Sequence, residues 1–129
     1  MRWITVLTVS CMLYSGSVTA ETSHTFYKLK KFIDTRNFEK AFNALKEDEK
    51  KTTLSDIEFI LLRSYFMSAS GQPSKALALA EKAEFSTTAY ESEIAEARAR
   101  AFLQQGDLER ADNYAALSLS YNQDSVVSR

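Results

Sequence analysis

Apolar residues in this chain recur with the spacing of one face of an α-helix. The first such stretch has apolar residues at positions 26, 29, 32 and 33, and the next has them at 38, 41, 42 and 45. Spacings of three and four residues are typical of an amphipathic helix that buries one side. The polar triplet Thr35-Arg36-Asn37 separates the two stretches. The pattern therefore predicts two short helices joined by a tight turn.

A second pair of helices is predicted downstream. Ser55 and Glu58 have the spacing of a capping box, in which each side chain accepts a hydrogen bond from a backbone N–H that the helix leaves unpaired. The helix that they open is apolar on nearly every face as far as Met67, which indicates burial between neighbours. Gly71 suits the left-handed position that ends a helix, and Pro73 suits the first turn of the next one, over residues 74–84.

A third pair completes the chain. Thr88 and Glu91 again have capping-box spacing, and the helix that they predict runs to Gln105. Gly106 ends it, and Asp107 caps a last helix that we expect to finish near residue 120. No apolar-polar alternation is long enough to predict a strand. The expected fold class is all-α, with six helices in three hairpins.

The three hairpins share a register of 35 residues. Gly71 and Gly106 are 35 residues apart, and Arg36 lies 35 residues before Gly71. The equivalent positions around them are occupied by a large apolar residue four places before and an alanine five places after: Phe32, Met67 and Phe102; Ala41, Ala76 and Ala111. A fixed period of this length is the signature of a repeat array.

These positions resemble the tetratricopeptide (TPR) repeat, a helix-turn-helix unit of nominally 34 residues. The third unit matches best, through Ala99, Phe102, Gly106-Asp107-Leu108, Ala111 and Ala115. The first departs most, with Arg36 at the turn glycine and Asp48 at a late alanine, and no unit keeps the family's proline after its second helix. The resemblance implies a right-handed α-solenoid over residues 21–125, with units at about 22–53, 55–88 and 88–123 and a C-terminal tail at 126–129.

In the TPR family the first helix of each unit lines a concave groove. The resemblance therefore implies these candidate partner-binding residues: Phe26, Lys30, Ile33, Glu58, Leu61, Tyr65, Glu93, Glu96 and Arg100. Other groove positions of the family fall on Ser23, Asp34, Ser68, Leu103 and Gln104. An apolar centre flanked by carboxylates and two cations suits an extended peptide or a partner helix. The alternative for any one of them is a purely structural place in the core or a solvated charge.

Residues 1–20 are predicted to be a signal peptide. Arg2 is followed by an apolar run from Trp3 to Tyr14 and then by small residues up to Ala20. A charged start, a short apolar segment and a small residue at the cleavage point are typical of export. An uncleaved anchor or an N-terminal helix of the fold is the alternative. Cys11, the one cysteine, lies in a loose lipoprotein-like sequence, so a lipid anchor there is a further, weaker alternative.

The composition argues against several other functions. The chain is 45% hydrophobic and 26% charged with a net charge of −1, and so lacks the basic excess of a nucleic-acid-binding protein. One histidine, His24, and one cysteine are too few for a usual zinc site, and there is no glycine-rich phosphate loop. We therefore expect no enzyme activity, no metal and no cofactor.

The last hairpin is expected to expose an apolar face. Stacked repeats need a polar outer surface at each end, yet Leu108, Tyr114, Ala115 and Leu119 would have no following unit to cover them. The chain would then be the front of a longer array, associate with itself end to end, or bind a partner there. Two functions remain: a periplasmic or secreted protein-interaction scaffold of the cell envelope, and a structural or oligomerising module that makes contacts through its repeat ends.

Overall fold

The fold is all-α in a computed structural model that describes residues 23–51 and 53–127, with side chains as far as residue 122. Within those residues there are helices and turns but no strand. The helices are α1 (His24–Asp34), α2 (Phe38–Lys51), α3 (Asp56–Ala69), α4 (Pro73–Ser86), α5 (Glu91–Gln105) and α6 (Leu108–Val127). The predicted signal peptide, including Cys11, lies outside the described residues.

The turn inside each hairpin repeats with the predicted period. Arg36, Gly71 and Gly106 all have left-handed backbone conformations, with φ of 61°, 85° and 83°. In each turn the following residue donates its N–H to the carbonyl five residues back: Asn37 to Phe32 at 2.8 Å, Gln72 to Met67 at 2.8 Å and Asp107 to Phe102 at 2.9 Å. The same backbone hydrogen bond therefore ends the first helix of each hairpin, and the backbone itself repeats every 35 residues. Arg36 adopts this conformation despite a steric cost of about 1–2 kcal/mol for a residue with a Cβ.

Two of the predicted helix starts are confirmed. The hydroxyl of Ser55 accepts a hydrogen bond from the Glu58 N–H at 3.2 Å, and the Glu58 carboxylate accepts one from the Ser55 N–H at 3.1 Å. The Asp107 carboxylate accepts a hydrogen bond from the Arg110 N–H at 3.2 Å. Each contact satisfies a backbone donor that the first helical turn cannot pair internally.

The capping box expected at Thr88 and Glu91 is wrong. Helix α5 begins at Glu91 itself, after a Tyr90 with a left-handed φ of 58° and no side-chain cap. The hydroxyl of Thr87 instead accepts a hydrogen bond from the Ala89 N–H at 3.0 Å. Such a local bond competes with helix initiation, and so the loop continues for two further residues.

The helices pack as three successive hairpins. The pairs α1–α2, α3–α4 and α5–α6 are each in contact, and the first helices α1, α3 and α5 lie side by side with α3 in the middle. Helix α2 also contacts α3, and α4 contacts α5. In the part of the chain that the structure describes, α2, α4 and α6 do not contact one another. This is a helical-repeat-like architecture in which the first helices form one row and each second helix packs on its own hairpin partner.

The core has its centre on α3. Leu61, Leu62 and Tyr65 have no exposed surface, because α1 covers one side of α3 and α5 the other. Small residues such as Ala76 and Ala80 are also fully buried, and allow the helices to approach closely. The first unit's unusual Asp48 is 7% exposed, and its carboxylate accepts hydrogen bonds from the N–H groups of the loop residues 53 and 54, at 2.9 and 3.2 Å. An aspartate there fixes the connection to α3.

Helix α6 is longer than expected. It continues past residue 120 to Val127, through a segment that contains neither glycine nor proline. As predicted, its outer face is uncovered: Leu108 is 63% exposed, Leu119 is 61% exposed and Ala115 is exposed, while Tyr114 is half-buried. The last hairpin therefore ends in an apolar surface.

The alanines at helix crossings generate a first prediction. We expect Ala76→Leu to lower the free energy of unfolding by about 1–3 kcal/mol, because the added atoms have no space in a packed interior. The matched control is Ala78→Leu, on the exposed side of the same helix, where we expect a change of about 0.5 kcal/mol or less. Urea denaturation of both variants measures the difference. Equal stabilities would contradict the close crossing of α4 on α3.

Candidate protein-interaction site

The C-terminal halves of the three first helices enclose a cleft of about 160 Å³. Most of its lining comes from groove positions expected from the sequence: Ile33, Asp34, Tyr65, Ser68, Arg100, Leu103 and Gln104. Arg36 and Ala69, from the ends of α1 and α3, complete the wall. One helix from each hairpin thus contributes to a single surface.

Tyr65 forms the floor of this cleft. Its side chain has no exposed surface, and its hydroxyl donates a hydrogen bond to the backbone carbonyl of Glu93 in the first turn of α5, at 3.2 Å. Its ring also meets the ring of Phe26 on α1, with centroids 6.1 Å apart. Burial raises the pKa of the Tyr65 hydroxyl, so it stays a neutral donor. One side chain therefore holds α1, α3 and α5 together.

A network of four charged side chains lies above Tyr65. The Arg100 guanidinium is 4.4 Å from the centre of the tyrosine ring, and it donates hydrogen bonds to Asp34 at 2.8 Å and to Glu96 at 2.7 Å. Lys30 reaches the other oxygen of Glu96 at 3.0 Å. Burial by itself lowers the pKa of Arg100, but the bonds to Asp34 and Glu96 outweigh it and raise that pKa. The network ties α1 to α5 across α3, although the backbones of α1 and α5 do not meet.

Five of the nine predicted partner-binding residues are buried rather than presented to solvent, and Tyr65 on the floor of the cleft is one of them. Phe26 and Leu61 have no exposed surface and Ile33 has 1%, because each lies where α3 packs between its neighbours. Glu58 is 3% exposed; its carboxylate accepts hydrogen bonds from the N–H and hydroxyl of Ser23, at 2.7 and 3.1 Å, as well as from its own capping box. In this conformation these five residues support the cleft, and a surface contact with a partner is not available to them.

Lys30, Glu96 and Arg100 remain partly accessible, with 23%, 29% and 24% of each side chain exposed. Glu93 is half-buried beside them, and burial raises the pKa of its carboxyl, an effect to which Glu96 adds and which Lys30 opposes. Leu103, at the edge of the cleft, is 60% exposed. The surface open to a partner is therefore ionic, with an apolar edge.

Sequence reasoning missed the Arg36 side chain as part of this site. The sequence marks Arg36 only as a departure from the turn glycine, yet its guanidinium lies against the end of α3 and donates to the Ala69 carbonyl at 3.5 Å. The charge network was missed too, although the 35-residue register contained a signal for it. Lys30, Tyr65 and Arg100 occupy the same position in the three units, which places a cation on each side of the tyrosine.

The described residues offer little for other chemistry. Their histidine, aspartate and glutamate side chains form no group that could hold a metal ion. None of the described helices is long and apolar enough to cross a membrane. In comparisons with protein-family models, curated proteins and solved structures, nothing matches the chain.

The bridge between the first and third hairpins can be measured by a double-mutant cycle. We expect Asp34→Asn and Arg100→Gln to couple by about 0.5–1 kcal/mol in unfolding free energy, because the pair is partly exposed. The coupling should decrease as salt is raised from low ionic strength to about 1 M. A control cycle of Asp34→Asn with Arg63→Gln, an exposed residue of α3, should show none. Additive effects in both cycles would rule out the bridge.

The raised pKa of Glu93 gives a pH-dependent prediction. A carboxyl whose pKa is higher in the folded chain than in the unfolded chain costs stability once it is ionised, and this cost disappears as the pH falls below its unfolded pKa. We therefore expect Glu93→Gln to raise the melting temperature at pH 7 and to have little effect near pH 4. Glu91→Gln, on an exposed residue of the same helical turn, is the control. A Glu93→Gln effect that is independent of pH would contradict the shifted pKa.

Proposed function

We propose that this chain is a non-enzymatic protein-interaction module, a right-handed TPR-like α-solenoid that binds an extended peptide or a partner helix in its concave cleft. The row of first helices supports this reading, because it brings one helix of every hairpin to the same surface. The repeated left-handed turns support the resemblance to the TPR unit.

The chemistry of the cleft is the observation that carries the proposal. Its floor is the buried ring of Tyr65, its edge includes the exposed Leu103, and its rim carries donors on Arg36 and Arg100 beside the acceptor Asp34. The exposed apolar side chain of Leu103 beside charged groups of both signs suits a peptide that has an apolar side chain flanked by polar groups. Asp34 and Glu96 already neutralise Arg100. A partner carboxylate that binds Arg100 must therefore replace one of these two carboxylates.

The proposed location is the periplasm or the outside of the cell, as a scaffold for an envelope assembly. It rests on the charged, apolar and small-residue segments of residues 1–20. A cell-envelope fraction is therefore the appropriate source of partners.

A second candidate function is contact through the ends of the stack, as a structural or oligomerising module. The exposed Leu108, Ala115 and Leu119 of α6 favour it, because a contiguous apolar surface on a small domain commonly marks an interaction site.

A pair of matched variants separates the two candidates. Leu103→Asp places a charge in the cleft, and Leu119→Asp places one on α6 at nearly the same exposure, 60% against 61%. We expect a partner captured from the envelope fraction to bind the Leu103 variant about thirtyfold more weakly, as for loss of a contact worth about 2 kcal/mol, and to bind the Leu119 variant unchanged. The opposite result would favour the ends of the stack, and unchanged binding by both variants would refute a role for the cleft.

A further inference from the structure

The face that joins each unit to the preceding one is buried in the second and third units and open in the first. On α3 and α5 it includes Leu62, 0% exposed, and Ala97, 1% exposed. The equivalent residue of α1, at the 35-residue register, is Tyr27, which is 54% exposed. Two further α1 residues on this face, His24 and Lys31, are also exposed. Helix α1 therefore exposes the surface with which a unit packs on the unit before it. This surface is called the leading face.

The surface with which a unit packs on the unit after it, called the trailing face, is exposed on the last helix. Leu45 of α2 and Ala80 of α4 are buried, whereas the equivalent Ala115 of α6 is exposed. Leu108 is likewise 63% exposed, whereas its equivalents in α2 and α4 are half-buried. Helix α6 therefore exposes its trailing face.

From these two exposed faces we infer that the chain associates head to tail, with α6 of one copy packed against α1 of a second copy. The inference rests on the second candidate function, contact through the ends, and assigns the partner as another copy of this chain. The joint would be a third use of the packing that already occurs twice within the molecule. Because the two surfaces differ, such contacts form rings or open chains of subunits rather than a symmetric pair.

The charges of the two ends are complementary. At the internal joint between the first two units, the ring of Phe42 meets the ring of Phe66, with centroids 6.4 Å apart. The register replaces Phe42 by Asp112 on α6 and Phe66 by Lys31 on α1, so the intermolecular joint brings opposite charges together at this position. Both side chains are exposed in the single chain. An ion pair between copies replaces the aromatic contact within one copy.

Charges at the margins of the two faces have the same signs. Lys28 on α1 and Glu109 on α6 are exposed, and their equivalents Arg63 and Glu39 are exposed beside the internal joint. The one cation near them on α6, Arg110, already has a carboxylate within 3.6 Å, that of Asp107. The leading face is therefore basic and the trailing face acidic, and this favours contact between unlike ends over contact between like ends.

Charge reversal tests the inference on the chain as it is recovered from the expressing cells. Sedimentation velocity over a range of concentrations should show oligomers, and Lys31→Glu or Asp112→Lys should each lower the association constant about tenfold or more, since each turns an attraction into a repulsion. Lys75→Glu and Glu81→Lys reverse exposed charges elsewhere and should leave association unchanged. Circular dichroism confirms that each variant is folded.

Mixing distinguishes this arrangement from every other one. An equimolar mixture of the Lys31→Glu and Asp112→Lys chains should regain association, because every end then meets an end of opposite charge, and the chain carrying both changes should also associate. A chain that stays monomeric at all concentrations would overturn the inference while leaving the cleft function intact. Oligomers that respond to Asp112→Lys but not to Lys31→Glu would overturn it as well, and would leave contact through α6 as the second candidate function.

Discussion

The arrangement of the three first helices depends on Tyr65. Its ring is buried between α1 and α5, its hydroxyl is bonded to the α5 backbone, and its outer face is covered by the Arg100 guanidinium. Cations over aromatic faces contribute about 0.5–2 kcal/mol, and more when solvent is excluded. Because Arg100 is in turn held by Asp34 and Glu96, the tyrosine links the first hairpin to the third. Tyr65 therefore helps to fix how the three first helices lie against one another.

Equivalent positions of the 35-residue register have different residues because the three units have different neighbours. The middle unit has neighbours on both sides, and so its first helix carries Leu62 and Tyr65 where solvent never reaches. The first unit has Tyr27 and Lys30 at those positions, and the third has Ala97 and Arg100. Place in the stack, rather than the repeat itself, determines whether a position is apolar or charged. The charges of the network and those at the ends of the stack both belong to units that have a neighbour on one side only.

Much of the backbone could be predicted from the sequence, because it depends on local signals. The turns at Gly71 and Gly106, the capping box at Ser55 and the apolar spacing of each helix need only neighbouring residues to act. The predicted start of α5 is wrong because a local hydrogen bond to the Thr87 hydroxyl competes with helix capping. The candidate site was predicted less completely. Which groove residues are buried depends on how closely α1 and α5 approach α3, and no local pattern encodes that distance.

The charge network also constrains what the cleft can accept. Lys30, Asp34, Glu96 and Arg100 pair with one another across the row of first helices, so none of these four charges is left unpaired to attract a partner. Removing a single member leaves its opposite partly buried and unpaired, which is costly. Exchanging one carboxylate for another keeps the Arg100 guanidinium paired. A partner that inserts its own carboxylate against Arg100 can therefore displace Asp34 without exposing the tyrosine. If the cleft binds a peptide as proposed, selectivity comes from the apolar side chain that accompanies that carboxylate at Leu103, since an exchange of carboxylates adds no new ion pair.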